Sequence, residues 1–253
     1  MSGITRNAGD FEVFGHELLL SANIIQKPDF QWEVILNWST SEGKVLEIPD
    51  DIESIIFADS GAAGVTSEIR AGDKMGTLYG YKWRYENGQR YIAANGLPEI
   101  NIDERVKVGN AFPDFISSIA NNFKWNGIGF NFLLEYKKGG DLYDSGLRNS
   151  IRNGNPLITL ERDVNVVLDG VMDDGNGGYV TNTTEGLIDQ NYYRNSNQYN
   201  RASEVIVQDA SWVKLRNISL SYDVQSKLIS NLKLSKVSIT ASASNILLWT
   251  PFD

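Results

Sequence analysis

Cysteine is absent from the 253 residues, and histidine occurs once, as His16. The first absence excludes a disulfide scaffold, a thiolate zinc site, a cysteine nucleophile and an iron–sulfur cluster. The second excludes every metal motif built on a histidine pair and leaves little room for histidine-dependent catalysis. Positive charge is also short: 23 Lys and Arg stand against 32 Asp and Glu, a formal charge of −9. Nucleic-acid binding needs clustered cations to meet phosphates, so no nucleic-acid partner is expected. No uninterrupted apolar run exceeds four residues, so no helix of this chain is expected to span a bilayer. A transmembrane β-barrel passes that test untouched, because its strands alternate and never build a long apolar run. Met1-Ser2-Gly3-Ile4-Thr5-Arg6 has no basic or apolar leader segment, so no signal peptide is expected, and a chain complete as it stands reads as cytoplasmic.

What is present is alternation. With 42% hydrophobic and 22% charged residues, wholesale disorder is excluded, and the length suits one large domain or two small ones. From Phe30 to Trp38 every even position is large and apolar, while the odd positions read Gln, Glu, Ile and Asn. The same period of two runs through Phe14–Ile24, Ile128–Tyr136 and Val237–Trp249. Further strands are expected at Gly76–Tyr85, Gln89–Ala93, Phe115–Trp125 and Trp212–Tyr222. Asn126-Gly127 and Asn87-Gly88 are tight hairpin turns, and Gln26-Lys27-Pro28-Asp29 is a slightly longer one. Val213 and Leu215 lie in one phase and Ile218, Leu220 and Tyr222 in the other, so a β-bulge is expected near Arg216-Asn217. Between Tyr136 and Ser211 the pattern dissolves, leaving room for short helices at Asp141–Asn153 and Pro156–Leu168.

A soluble sandwich carries Lys and Glu on its outer faces, whereas these polar faces carry Ser, Thr, Asn, Gln and Gly. The apolar faces end in aromatics: Phe30, Trp32 and Trp38, then Phe123 and Trp125, Tyr136 and Trp249. Trp32 to Trp38 covers roughly 20 Å at strand rise. Outer-membrane barrels have an apolar band of about 25 Å bordered by aromatic girdles. On pattern alone, a membrane barrel and a soluble β-protein remain evenly matched.

Several motifs then run in order along the chain. They are Asn7-Ala8-Gly9 with Gly15-His16-Glu17-Leu18, and Phe30-Gln31-Trp32 through Asn37-Trp38-Ser39 and Lys44-Val45. Next come Gly72-Asp73-Lys74-Met75-Gly76-Thr77-Leu78-Tyr79-Gly80-Tyr81 and Val108-Gly109-Asn110-Ala111-Phe112-Pro113-Asp114-Phe115. Gly139-Gly140-Asp141-Leu142-Tyr143 follows, then Ala210-Ser211-Trp212-Val213-Lys214-Leu215-Arg216-Asn217 with Leu220-Ser221-Tyr222, then Ser244-Asn245-Ile246-Leu247 with Thr250. Each is weak alone. In this order they resemble the C-terminal part of the barrel of SusC/RagA-type TonB-linked outer-membrane proteins, nutrient importers of Bacteroidetes.

The resemblance implies an all-β antiparallel meander, residues 1–253 forming a partial barrel wall of about eight strands with external loops over about 138–210. It implies a cell outer-membrane location, lipid on the barrel exterior, and a full protein with a plug inside a barrel of about 22 strands. A TonB complex would pull on that plug, and a SusD-like surface lipoprotein would act as a lid over an oligosaccharide (glycan) or peptide ligand. The plug, the TonB box and the final strand of the family are missing from the sequence, so it reads as a fragment with no catalytic residue and no cofactor.

Single features carry less. Tyr192, Tyr193, Arg194 and Tyr199 are candidate ligand contacts, since aromatic faces suit sugar faces and arginine suits carboxylates. The bland alternative is loop packing. Asp173-Asp174-Gly175-Asn176-Gly177-Gly178 has the look of a calcium loop, but its spacing is imperfect and it lacks the bidentate Glu; an ordinary turn is expected, and no metal. Glu17 and Glu33 fall on a polar strand phase and suit a solvated wall better than a glycosidase pair. The competing function is a soluble β-sandwich that binds carbohydrate through Tyr192, Tyr193 and Trp212. It differs in one observable: its apolar faces meet across a dry core.

Overall fold

The computed structural model describes residues 9–61, 64–195, 198–224, 234 and 236–251. Asn7 and Ala8 of the first motif lie outside the described residues, as do Phe252 and Asp253. The chain divides into two compact units, one of residues 13–43, 112–140 and 209–253, the other of 1–12, 44–111 and 141–208.

The first unit is built on a six-stranded sheet. Its strands are β1 (Asp10–Gln26), β2 (Phe30–Glu47), β3 (Pro113–Trp125), β4 (Ile128–Gly139), β5 (Trp212–Asp223) and β6 (Ser238–Trp249). Each lies beside its neighbour in this series, and the pairings from β2 to β6 are antiparallel. The register assembles the alternating residues into two faces. One row reads Trp32, Phe123, Phe130, Leu220, Ala241, and another reads Leu36, Ile119, Leu134, Leu215, Leu247. A third, Trp38, Ser117, Tyr136, Val213, Trp249, has aromatics at both ends and in its centre. On the opposite face Glu33, Asn122, Asn131, Ser219 and Ser242 stand in one row, interrupted elsewhere by apolar residues such as Ile35, Ile116 and Leu133. A shift of one residue in any strand would exchange these faces, so the pattern specifies the register strongly.

Local chemistry explains the joints. Asn126 and Gly127 have φ of 46° and 87°, the positive pair that a two-residue hairpin needs to match strand twist. Gly127→Ala is expected to cost about 1 kcal/mol, because alanine resists that φ; the midpoint of denaturant unfolding measures it, and an unchanged midpoint would contradict the turn geometry. The expected bulge is present: against β4, Leu133 pairs Asn217 and Leu134 pairs Leu215, so Arg216 is the extra residue. Strand β6 answers with its own irregularity, where Asn245 takes φ 54°. Arg216 pairs with Glu135 at 2.5 Å and reaches Asn245 Oδ1 at 3.3 Å.

The second unit holds a four-stranded sheet of Ile55–Asp59, Thr66–Ile69, Thr77–Gly80 and Val106–Asn110, with short hairpins and, among the described residues, three α-helices. Of the expected strands, Gly76–Tyr85 and Gln89–Ala93 belong here as shorter pieces, Thr77–Gly80, Tyr85–Glu86 and Gln89–Arg90. Their alternation is genuine, but periodicity does not say which sheet a strand joins. The six-stranded sheet therefore contains six of the segments read as wall. The helix expected at Asp141–Asn153 begins at Ser145, as α1 (Ser145–Asn153), because the Asp144 carboxylate caps it by accepting from Leu147 N–H at 2.8 Å. Asp141–Tyr143 before it is strand.

The helix expected at Pro156–Leu168 is a correction. Only a 3-10 turn forms, at Leu157–Thr159, and Val164–Val167 is a strand paired with Glu185–Ile188. The 3-4-3 stripe of Leu157, Leu160, Val164 and Val167 is exposed, so no apolar surface rewards a helix. The β-branched valines favour the ladder instead.

Two of the ordered motifs interlock. Gly139 and Gly140 take positive φ and lead into Asp141. Its carboxylate accepts from Asn110 N–H at 2.8 Å, and a Cβ on Gly109 would stand 2.6 Å from that oxygen. Glycine at 109 is therefore what lets the carboxylate approach the strand.

Candidate functional site

The four tyrosine and arginine candidates lie in the second unit, on two short helical turns. Helix α2 (Gln190–Arg194) starts at Asp189, whose carboxylate accepts from Tyr192 N–H at 3.0 Å, and a 3-10 turn follows at Tyr199–Arg201. This local folding stacks the rings edge to face: centroids are 5.1 Å apart for Tyr192 and Tyr193, and 5.7 Å from each to Tyr199. Tyr192 and Tyr193 are each 6% exposed and form a core cluster with Ile151 and Ile188. Burial, with the neighbouring Tyr199 next in effect, pushes the Tyr192 phenol up to about 12. The Tyr193 hydroxyl donates to Ile158 O at 2.9 Å. Tyr192 and Tyr193 are thus placed as core residues, Tyr199 packs beside them half-buried, and Arg194 is exposed.

Arg194 and one side of Tyr193 nevertheless share a pocket of about 390 Å³ with Arg152, Arg162, Asp163 and Gln190. Arg152 and Arg194 close the last turns of α1 and α2, where a cation complements the helix dipole. Arg162 belongs to no helix. Its guanidinium lies against Gly154, the left-handed cap of α1, where an added Cβ would be 2.4 Å from Nη1. None of the three guanidiniums forms an ion pair among the described residues. Sequence reading identified Tyr193 and Arg194 but missed Arg152 and Arg162; the only local signal was an arginine just before, and another shortly after, the helix-stopping Gly154.

The same unit carries charge clusters. Glu68 is buried among Thr66, Arg70 and Arg105: it accepts from Thr66 Oγ1 at 2.6 Å and pairs with Arg70 at 2.8 Å and Arg105 at 3.4 Å. Burial opposes ionisation of this carboxyl, but the hydrogen bonds from Thr66 and Arg70 outweigh it and hold the group below the usual range. Nearby, Asp73 accepts from the Tyr79 hydroxyl and pairs with Lys107. Burial and that acceptor raise the Tyr79 phenol strongly. These groups brace the sheet to which the Gly72–Tyr81 motif supplies one strand, Thr77–Gly80.

In the Asp173–Gly178 segment the carboxylates serve the backbone. Asp173 accepts from Gly175 N–H at 2.7 Å, and Asp174 from Asn176 and Gly178 N–H at 2.8 and 2.9 Å. Those hydrogen bonds lower the Asp174 carboxyl. Among the described residues no three His, Asp or Glu are grouped to hold a metal.

In the first unit the polar face forms a depression of about 520 Å³ lined by Asn23, Gln31, Glu33, Asn122, Asn131 and Ser221. Glu33 accepts from Asn122 Nδ2 at 2.9 Å and Ser21 Oγ at 3.3 Å, and so sits in an amide and hydroxyl network rather than beside a second carboxylate. The Lys214 ammonium lies 4.1 Å from the Trp212 ring centroid, covering one face of the ring. The opposite face is open. Leu220 is 54% exposed and Trp249 51%, and of the buried apolar residues among those described only Ala210 comes from this unit. Among the described residues the unit has no second sheet, so the apolar side chains described there meet no dry core within it. No helix among the described residues is long and apolar enough to cross a membrane.

No protein-family model matches the chain. It is similar along its whole length to TonB-dependent receptors P3 and P39 of Formosa agariphila, at 22% and 25% identity over 275 and 308 residues, covering 26% and 28% of those proteins. It is also similar to the TonB-dependent receptor SusC of Bacteroides thetaiotaomicron, at 22% identity over 88% of the chain and 21% of SusC. The fold matches a structure of the RagAB peptide transporter with a TM-score of 0.65 at 16% identity, over 98% of this chain and 27% of that one. A RagAB peptide importer in its closed-closed state gives 0.66 at 15%, with the same coverage. The chain thus spans about a quarter of the length of the curated relatives P3 and P39.

Proposed function

We propose that this chain, a SusC/RagA-type TonB-dependent receptor sequence, forms part of the C-terminal barrel wall of an outer-membrane importer and carries loops that face its ligand. The sheet β1–β6 is the wall. Its apolar rows meet lipid, its Asn, Ser and Glu33 row lines the lumen, and the second unit is loop. The nutrient is an oligosaccharide or a peptide. A plug from elsewhere in the full protein, a TonB complex and a SusD-like lipoprotein lid complete the machine. No catalytic step belongs to the chain.

One observation carries this reading: a single sheet, antiparallel from β2 to β6, with one predominantly apolar face that is bounded by aromatics and uncovered within its unit among the described residues. Such a face costs about 25 cal/mol per Å² in water, and lipid removes that cost. Membrane fractionation of cells producing the protein tests it. Recovery with the outer membrane, resisting alkaline extraction, is expected; recovery in the soluble fraction sinks the importer reading. Growth of a gene-deleted host on peptides or on oligosaccharides as sole carbon source then separates the two nutrients.

A further inference from the structure

We propose that the pocket bounded by Arg152, Arg162 and Arg194 is a subsite for a carboxylate group on the imported molecule. This rests on the importer reading and adds the chemistry of the ligand. A guanidinium presents a planar fork of N–H donors that matches a carboxylate in bidentate fashion, and it keeps its charge at every physiological pH. Three of them line one pocket on a chain whose overall charge is −9, with no ion pair among the described residues.

Helix dipoles account for Arg152 and Arg194 at the ends of α1 and α2. They do not account for Arg162, which reaches the same pocket from outside any helix and occupies the space left by the absent side chain of Gly154. The opposing charges are modest: Asp163 lines the pocket, and Glu161 lies near enough to act on Tyr193. Tyr193 also lines the pocket, and its hydroxyl donates to Ile158 O. An apolar wall beside a cationic one suits a carboxylate borne on a small carbon skeleton. About 390 Å³ admits one terminal residue or one sugar ring. Two molecules present that chemistry, a peptide with its free C-terminus and a glycan ending in a uronic acid.

Titration of the full chain in detergent micelles with trialanine, trialanine amide, glucuronate and glucose tests the assignment. Binding of trialanine but not its amide assigns the peptide source, and binding of glucuronate but not glucose assigns the acidic glycan. Binding of both acids supports a carboxylate subsite indifferent to its carrier. Arg162→Gln and Arg194→Gln should each weaken the acid about tenfold, the worth of one charge-assisted hydrogen bond. Arg162→Lys, which keeps the charge but loses the fork, should fall between. Near-UV circular dichroism of the tyrosine cluster controls for folding. Absence of binding by both acids, equal binding of the uncharged probes, or indifference to both glutamine variants overturns the assignment. A chain recovered in the outer membrane that binds no carboxylate fails on this assignment alone; a soluble chain that binds one fails only on the importer reading.

Discussion

Replacing Leu134 by arginine is expected to destabilise the protein in lipid vesicles by about 2–4 kcal/mol, the cost of a cation on the lipid face near the bilayer midplane. Leu134 lies between Ile119 and Leu215, two positions from Tyr136 and four from Phe130 along β4. Those aromatics belong to the rows that would mark the two interfaces, so Leu134 lies inside the apolar band, about 7 Å along the strand from the nearer row, and snorkelling toward Tyr136 puts the expected cost at the lower end of that range. The contrast is Asn131→Arg on the same strand, beside Asn122 and Ser219 on the polar face. That change should stay within about 0.5 kcal/mol, as exposed polar substitutions do. Urea unfolding midpoints of both variants in vesicles decide the matter. Equal costs would mean that the apolar face does not meet lipid.

The second large effect belongs to Glu68. The carboxylate is 3% exposed, while its partners Arg70 and Arg105 are about a quarter exposed, at 26% and 28%. Glu68→Ala leaves two guanidiniums without their counter-charge and Thr66 Oγ1 without its acceptor. Removing one partner of a fully buried pair costs about 3–5 kcal/mol. Water reaches the arginines here, so a loss of about 2–4 kcal/mol is expected. The pH dependence has a fixed sign. The folded carboxyl is held below its ordinary value of 4.5, so its contribution is complete above that value and disappears as pH falls through the lower folded one. The acid limb of the stability curve should therefore be shallower in Glu68→Gln than in the parent. Stability profiles between neutral pH and about pH 3 check this; parallel acid limbs would show that Glu68 does not drive that loss.

Both experiments probe features of different legibility. The apolar face was readable residue by residue, because a strand places alternate side chains on opposite faces and Phe30–Trp38 states its own phase. The hairpin at Asn126-Gly127 and the bulge at Arg216 were readable for the same reason: each follows from φ preferences or phase within a few residues. The Glu68 cluster was not. Thr66, Glu68 and Arg70 alternate like any exposed strand, and only Arg105, far along the chain, turns them into a buried ion network. The stripe from Leu157 to Val167 misled for a related reason. A helical period needs a surface to bury against, and the chain offers none there.

The tyrosines show the division most sharply. Local sequence placed Tyr192, Tyr193 and Tyr199 among asparagines, which reads as an exposed mouth. Tertiary packing turned two of them inward against Ile151 and Ile188 and left Arg194 at the rim with Arg152 and Arg162. By itself the sequence determined strand phase, tight turns, the bulge and the polarity of each face, since those depend on neighbours one to four residues away. The structure alone decided which strands share a sheet, which rings are buried and which charges converge, because those depend on contacts between residues tens of positions apart.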